Sequence, residues 1–218
     1  MKKVIVFDLD GTLLDTITDI RIAINDSLQA LGLPYRYSKS DCHYLVGDGA
    51  DTLVHRALQD HDNEENFRRL KTEFIPRYKE YQGHHTKPFN GIVPTLNYLK
   101  NKGIILTVCT NKPDELAHLI LAKFFPNDFF DAIYGLKDLE KPKPDPHNVI
   151  AIMNRFSADE TNTVFVGDSL PDLLTAHNAK LPLGLCLWGY GFYKPNLLKE
   201  ADYVFRKPQD LADLGNEK

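Results

Sequence analysis

The sequence has few cysteines, no strong excess of charge of either sign and no long hydrophobic run. Its 218 residues include three cysteines, Cys42, Cys109 and Cys186. This odd and widely spaced set offers neither a disulfide framework nor a paired zinc-ligand spacing, so reduced thiols are the simplest expectation. The net charge of -4 gives no electrostatic reason to expect nucleic acid or an anionic membrane as a partner.

The hydrophobic segments are too short for a signal peptide or a membrane-spanning helix. The first run, Val4 to Phe7, ends at Asp8, well before the length of a signal-peptide core. No later run approaches the roughly 20 apolar residues that cross a bilayer. We therefore expect a cytoplasmic protein without a membrane partner, present as a monomer or a homodimer.

Four short apolar runs predict the buried strands of a parallel sheet. They cover residues Val4 to Phe7, Ile104 to Cys109, Thr163 to Val166, and Leu183 to Leu187. Continuous runs of this length, without strict polar alternation, suit strands that are covered on both faces. Because helical patterns separate the runs, the sequence predicts an α/β fold.

The stretch 15–87 breaks this alternation, because its patterns are helical throughout. One apolar stripe runs from Ile17 to Leu31 and a second from Phe67 to Tyr81, each with the spacing of a single helix face. We expect these helices to form a cap domain over 15–87. The α/β core domain would then consist of residues 1–14 and 88–218.

Two aspartates, Asp8 and Asp10, directly follow the first predicted strand. Ligands bind beyond the carboxyl ends of the strands in an open parallel sheet, and residues two apart in an extended segment project to the same side. Gly11 would permit a sharp turn. A solvated turn is an alternative interpretation. A calcium-binding EF-hand is excluded, since Leu13 stands where that loop needs glycine.

Further polar residues are predicted at the same edge of the sheet. They are Thr110 and Asn111 after the second run, Lys141 and Lys143 in the following loop, and Asp168, Ser169 and Asp172 after the third run. Each group alone is more typical of a strand-to-helix turn, a stiff proline-containing loop or a helix cap than of a functional site. Together, a hydroxyl, a lysine and several acids are what phosphoryl transfer needs.

These groups resemble the four motifs of the haloacid dehalogenase-like hydrolase superfamily. In chain order they are Asp8-x-Asp10-Gly11-Thr12, Thr110-Asn111, Lys141-Pro142-x-Pro144, and Gly167-Asp168-x-x-x-Asp172. Stretches such as Val46 to Asp51 and Gly189 to Gly191 resemble the bacterial phosphoglycolate phosphatases of that superfamily in particular. The resemblance implies a Rossmann-like core and an α-helical cap.

The resemblance also implies a magnesium-dependent phosphatase for a small phosphate ester, with 2-phosphoglycolate as the expected substrate. Asp8 would attack phosphorus and form an aspartyl-phosphate, while Asp10 would act as general acid and base. Mg²⁺ would be bound by Asp8, the Asp10 backbone carbonyl and Asp168. Asp172 would hydrogen-bond to these ligands without binding the metal itself, or bind a metal-bound water, and Ser169 would also lie outside the set of direct ligands.

The transferring phosphoryl group would be held by a separate set of groups. By resemblance they are the side chains of Thr110, Asn111 and Lys141, together with backbone N–H groups near Leu9 and Gly11. Lys143 is the rival lysine, and the resemblance favours Lys141. A lysine ammonium acts on a phosphate as a compact point charge.

Several other functions stay open on the sequence alone. A phosphosugar mutase would use the same aspartate pair and a similar cap, and a pyrophosphatase or nucleotidase would differ only in cap residues. A dehalogenase is disfavoured because it has no need for a second acid at Asp10. A non-catalytic binding protein on the same fold is the alternative outside enzymes.

Overall fold

The computed structural model describes residues 3–191 and 195–216. The outermost residues of the predicted core domain, 1–2 and 217–218, lie outside this range. The strands are β1 (Val4–Phe7), β2 (Leu14–Asp15), β3 (Lys87–Pro88), β4 (Ile105–Pro113), β5 (Ala132–Leu136), β6 (Thr163–Gly167), β7 (Leu183–Cys186) and β8 (Tyr203–Phe205).

The helices follow the same chain order. They are α1 (Ile17–Ala30), α2 (Lys39–Cys42), α3 (Ala50–Leu58), α4 (Glu64–Tyr81), α5 (Ile92–Asn101), α6 (Asp114–Phe124), α7 (His147–Arg155), α8 (Leu170–Asn178) and α9 (Pro195–Glu200), with 3-10 helices at Gln59–His61 and Pro208–Gly215. None of the helices in the described part of the chain is both long and apolar enough to cross a membrane.

Six strands form one parallel sheet in the order β5-β4-β1-β6-β7-β8. Side chains of β1 alternate between the two faces: Ile5 and Phe7 pack with α5 and α6, whereas Val4 and Val6 pack with α7 and α8. This covering on both faces explains why the central strands are continuous apolar runs. The predicted α/β fold with a parallel sheet is confirmed.

The two outer strands, β5 and β8, were not predicted by apolar runs. Both lie at an edge of the sheet, and each contains residues that are only partly buried. An edge strand needs less apolar surface than a central one, so its sequence carries a weaker signal. The strand β4 also extends further than its apolar run, through Thr110 and Asn111 to Pro113.

Helices α1 to α4 form a helical insert, residues 16–86, between β2 and β3. Both predicted stripes form helices, α1 and α4, which pack together in a hydrophobic cluster separate from the two clusters on the sheet. The chain leaves the core for the insert and returns from it at one place, because β2 and β3 pair antiparallel in a small sheet of their own, with Leu14 opposite Pro88. The exact domain boundaries stay a prediction.

Candidate active site

Three buried carboxylates, those of Asp8, Asp168 and Asp172, converge at the carboxyl edge of the sheet. Asp8 follows β1, Asp168 follows the neighbouring strand β6, and Asp172 lies in the first turn of α8. One carboxylate oxygen of each lies within 4.8 Å of the others. From the sequence we expected Asp172 to lie outside the set of metal ligands, whereas in the structure its carboxylate is one of the three that converge.

A buried lysine, Lys143, lies between two of these acids. Its Nζ donates to Asp8 Oδ1 at 2.7 Å and to Asp172 Oδ1 at 2.6 Å. Burial alone would lower the pKa of Lys143, but the carboxylates of Asp172 and Asp8 outweigh it and raise that pKa. Lys143 is therefore held as an ammonium beside the predicted nucleophile.

The prediction of Lys141 as the active-site lysine is corrected by this geometry. Lys141 is exposed, whereas Lys143 is only 6% exposed and contacts Asp8. The side chain of Asn111 explains the difference: Oδ1 accepts from the Lys143 backbone N–H at 2.7 Å, and Nδ2 donates to the Lys143 carbonyl at 3.2 Å. These two bonds fix the backbone at Lys143 and direct its side chain inward.

Asn111 was predicted to bind the phosphoryl group, and the structure gives it a different position. Its side-chain amide and carbonyl both bond the backbone of Lys143, and Nδ2 also donates to the Gly47 carbonyl of the helical insert at 3.2 Å. Since these partners use the side chain of Asn111, it positions Lys143 and contacts the insert.

Asp168 is held by groups from two separate segments. Its Oδ1 accepts from the Thr12 hydroxyl at 2.9 Å, and its Oδ2 accepts from the backbone N–H groups of Tyr190 at 2.7 Å and Gly191 at 3.3 Å. Gly11 packs so closely here that an added Cβ would lie 2.5 Å from Asp168 Oδ2. Burial, then the charges of Asp172 and Asp8, raise the pKa of Asp168 well above its ordinary value.

Asp172 and Ser169 form the N-terminal cap of α8. Asp172 Oδ2 accepts from the Ser169 hydroxyl at 2.6 Å and from the Ser169 and Asp168 backbone N–H groups at 3.0 and 3.1 Å. Such a capping box satisfies backbone donors at a helix start. It also leaves Asp172 Oδ1 directed at Lys143, so the hydrogen bonds from Ser169 fix the orientation of the Asp172 carboxylate.

The donor set fits a divalent cation. Three buried carboxylates face a single ammonium, that of Lys143, so the fully ionised group carries an excess of negative charge. Burial raises the pKa of Asp8 to about 7, with the nearby charge of Asp172 adding to the effect and Lys143 opposing it. A hard cation with a preference for carboxylate oxygen, such as Mg²⁺, would balance this charge.

Asp10 pairs with a lysine that the sequence reasoning did not single out. Lys112, near the end of β4, directs its Nζ at Asp10 Oδ1 and Oδ2, 3.2 and 3.4 Å away. The same ammonium donates to the hydroxyl of Tyr78 in α4 and lies 4.3 Å from the centre of the Tyr78 ring. The signal available in the sequence was its position, directly after Thr110 and Asn111.

The remaining predicted phosphate-binding groups differ in whether they still have a hydrogen-bond donor available for a ligand. Thr110 is buried at the end of β4, and its oxygen accepts from the Lys112 backbone N–H at 3.2 Å, which leaves the hydroxyl hydrogen for a ligand. The Gly11 N–H already donates to the Leu14 carbonyl at 3.0 Å. Gly11, at φ +93°, therefore makes the turn, while the Leu9 side chain is buried in the core below it.

A narrow cavity of about 50 Å³ lies between the carboxyl edge of the sheet and the helical insert. The sheet side contributes polar groups of Asp8, Asp10, Thr110, Asn111 and Lys112. The insert side is mostly apolar, and the residues lining the cavity from it are Ile20, Val46, Gly47, Gly49, Ala50, Leu53, Phe74, Ile75 and Tyr78. An anionic group near Asp8 would thus sit under an apolar roof that excludes water.

Comparison with known proteins gives consistent matches along the chain. The model for the haloacid dehalogenase-like hydrolases matches residues 5–185. A phosphoglycolate phosphatase from Agrobacterium fabrum is 34% identical over 194 residues, which are 87% of this chain and 82% of that protein. One from Aquifex aeolicus is 33% identical over 97% of this chain and 96% of its own length.

Solved structures also resemble this fold. The crystal structure of a predicted phosphoglycolate phosphatase from Haemophilus somnus is 30% identical and superposes with a TM-score of 0.90, covering 98% of this chain and 97% of that one. A complex of CbbY from Rhodobacter sphaeroides with phosphate, at 22% identity and a TM-score of 0.80, shares the fold.

Proposed function

Because this chain belongs to the haloacid dehalogenase-like hydrolase family, we propose that it is a magnesium-dependent phosphatase that hydrolyses a small phosphate monoester, 2-phosphoglycolate, through an aspartyl-phosphate. One observation carries the proposal. Asp8 lines the cavity, contacts Lys143, and has a carboxylate oxygen within 4.8 Å of one from Asp168 and one from Asp172.

Asp8 is the proposed nucleophile. Attack of its carboxylate on phosphorus forms the aspartyl-phosphate and expels the alkoxide, and water then hydrolyses the acyl phosphate. Lys143, 2.7 Å from Asp8 Oδ1, supplies positive charge where the phosphoryl oxygens would lie. The Thr110 hydroxyl can donate to one of the same oxygens.

Asp8 and Asp168 would hold Mg²⁺, together with Asp172 directly or through a bound water. The cation supplies charge that offsets repulsion between the anionic nucleophile and the anionic phosphate. The protein's own contribution is geometric: Thr12 and the backbone N–H of Tyr190 fix the two oxygens of Asp168. The Asp10 backbone carbonyl is the third proposed ligand.

Asp10 is the proposed proton donor and acceptor. It lines the same cavity as Asp8, and its side chain retains about a fifth of its surface exposed, so it can exchange protons with solvent. It would protonate the leaving alkoxide and then take a proton from the attacking water.

The size of the cavity supports a small leaving group. A space of about 50 Å³ holds roughly three to five water-sized spheres. Glycolate, which consists of a hydroxyl, a methylene and a carboxylate, is of this size, whereas a hexose or a nucleoside is far larger. This cavity is therefore compatible with 2-phosphoglycolate, while a larger cavity of about 550 Å³, lined by Asp10 and Asp168 among others, reaches the same site from its other side.

A phosphate-release screen over small phosphate esters tests the function. We expect release from 2-phosphoglycolate to stop when metal is removed with a chelator and to return when Mg²⁺ is added, because the buried acid group then regains its balancing charge. Equal release with and without Mg²⁺ would contradict the metal proposal. An isomerised sugar phosphate instead of free phosphate would indicate a mutase, and no release from any ester would favour a binding protein.

Replacing Asp10 with Asn is expected to lower kcat by about 10² to 10⁴, the usual contribution of a positioned general acid and base. Because hydrolysis of the intermediate also needs Asp10, phosphoprotein should accumulate with a small substrate whose leaving group departs without protonation, such as acetyl phosphate. Acid-quenched samples with radiolabelled substrate measure this. An unchanged kcat would remove the acid and base role from Asp10.

A further inference from the structure

The ammonium of Lys112 lines the cavity from deep inside the protein. Its side chain is 2% exposed, and among the described residues that line this cavity it is the only cation. Burial lowers the pKa of Lys112, while the charge of Asp10 opposes the shift. A buried ammonium is costly without an anionic or strongly accepting partner.

The partners of Lys112 come from both sides of the cavity. Asp10 lies on the sheet side, and Tyr78 reaches the same ammonium from α4 of the helical insert. Lys143 is committed to Asp8 and Asp172, where the phosphate would bind. Lys112 is therefore a second positive charge, separate from the phosphate position and directed at the part of the cavity that a leaving group would occupy.

We infer that Lys112, assisted by the Tyr78 hydroxyl, is the specificity residue that binds a carboxylate on the leaving group of the substrate. The inference rests on the proposed phosphatase function. The Lys112 ammonium donates to the substrate carboxylate, and the Tyr78 hydroxyl, which accepts from Lys112, has its own hydrogen to donate to the same group.

The surroundings select a carboxylate over other groups. The rest of the roof is formed by apolar side chains such as Ile20, Leu53 and Phe74, which offer no hydrogen bonds to a neutral hydroxyl. The space of about 50 Å³ beside Lys112 accommodates a group as small as a carboxylate. A short carboxylate matches both the charge of Lys112 and the space beside it.

The test compares two esters of matched length, 2-phosphoglycolate and 2-hydroxyethyl phosphate, in which a neutral hydroxymethyl group replaces the carboxylate. We expect the wild-type protein to prefer 2-phosphoglycolate by about 10² in kcat/KM, a typical effect of pairing a buried charge. In Lys112→Met this preference should fall to near unity, chiefly through a higher KM for 2-phosphoglycolate. Tyr78→Phe should reduce the preference by about 3- to 10-fold.

The ratio of kcat/KM for the two esters distinguishes a specificity role of Lys112 from a role in positioning Asp10. If Lys112 only orients Asp10, Lys112→Met will lower kcat for both esters alike and leave the preference unchanged, which would overturn the inference. Lys102→Met, at an exposed lysine, is the matched control. If Lys112→Met does not fold, an unchanged preference in Tyr78→Phe would count against the inference.

Wild-type protein that cleaves both esters equally overturns the inference alone, whereas failure to cleave any ester overturns the proposed function as well.

Discussion

Asp8→Asn is expected to abolish phosphate release, with kcat falling below detection at the enzyme concentrations that give full turnover in the wild type. The amide is nearly the same size as the carboxylate but is a poor nucleophile, so no aspartyl-phosphate can form. Because Asp8 contacts Lys143 and lies within the acid group, loss of its charge should also weaken the proposed binding of Mg²⁺. Phosphate release measures turnover, and trapping of radiolabelled phosphoprotein measures formation of the aspartyl-phosphate.

The control for Asp8→Asn is Asp60→Asn, at an exposed aspartate of the helical insert, which should retain wild-type activity. Near-normal turnover in folded Asp8→Asn protein would refute the nucleophile assignment. Turnover of wild-type protein without any trapped phosphoprotein, under conditions that preserve acyl phosphates, would instead favour direct attack by water.

The second large effect distinguishes two lysines that are two residues apart. Lys143→Met should lower kcat/KM by about 10² to 10³, since it removes the positive charge beside the phosphoryl oxygens. It should also lower the free energy of unfolding by about 3–5 kcal/mol, because Asp8 and Asp172 lose a buried partner. Steady-state kinetics and denaturant unfolding measure the two effects.

Lys141→Met is the matched control for this comparison, with the same substitution in the same loop. Lys141 is exposed, so both its activity and its free energy of unfolding should stay close to those of the wild type. A large loss of activity in Lys141→Met, with little in Lys143→Met, would restore the lysine that the motif resemblance favoured and reject the one that contacts Asp8.

The sequence predicted the fold class and the family because several independent signals agreed. Buried parallel strands give continuous apolar runs, and polar residues after those runs identify the functional edge of the sheet. The family match over residues 5–185 confirms the resemblance carried by the four motifs, and with it the prediction of a hydrolase. Asp8 and Asp168 could be placed at the same edge because each directly follows a strand of one parallel sheet.

The choice between Lys141 and Lys143 could not be made in the same way. Each lysine precedes a proline in one loop, so local pattern gives them equal standing. What decides between them is a contact from another strand, the pair of hydrogen bonds from Asn111 to the Lys143 backbone. Such contacts depend on the folded loop geometry, which neither periodicity nor composition encodes.

The partnership of Lys112 with Tyr78 was missed for a related reason. The two residues come from the sheet edge and from a helix of the insert, and sequence patterns do not say which face of an insert lies over which strand. Tyr78 was predicted correctly as part of an apolar helix stripe. Its hydroxyl gains a role beyond packing only because α4 lies over the end of β4.

The antiparallel pairing of β2 with β3 has a consequence for how such an enzyme can diversify. Since the chain departs and returns through neighbouring residues, Leu14 opposite Pro88 and Asp15 opposite Lys87, the length between them can vary without moving any strand of the parallel sheet. The residues proposed for chemistry remain at the edge of the parallel sheet, while the part of the insert that covers the proposed leaving-group position can be exchanged. Substrate range and reaction can thus evolve separately in this architecture.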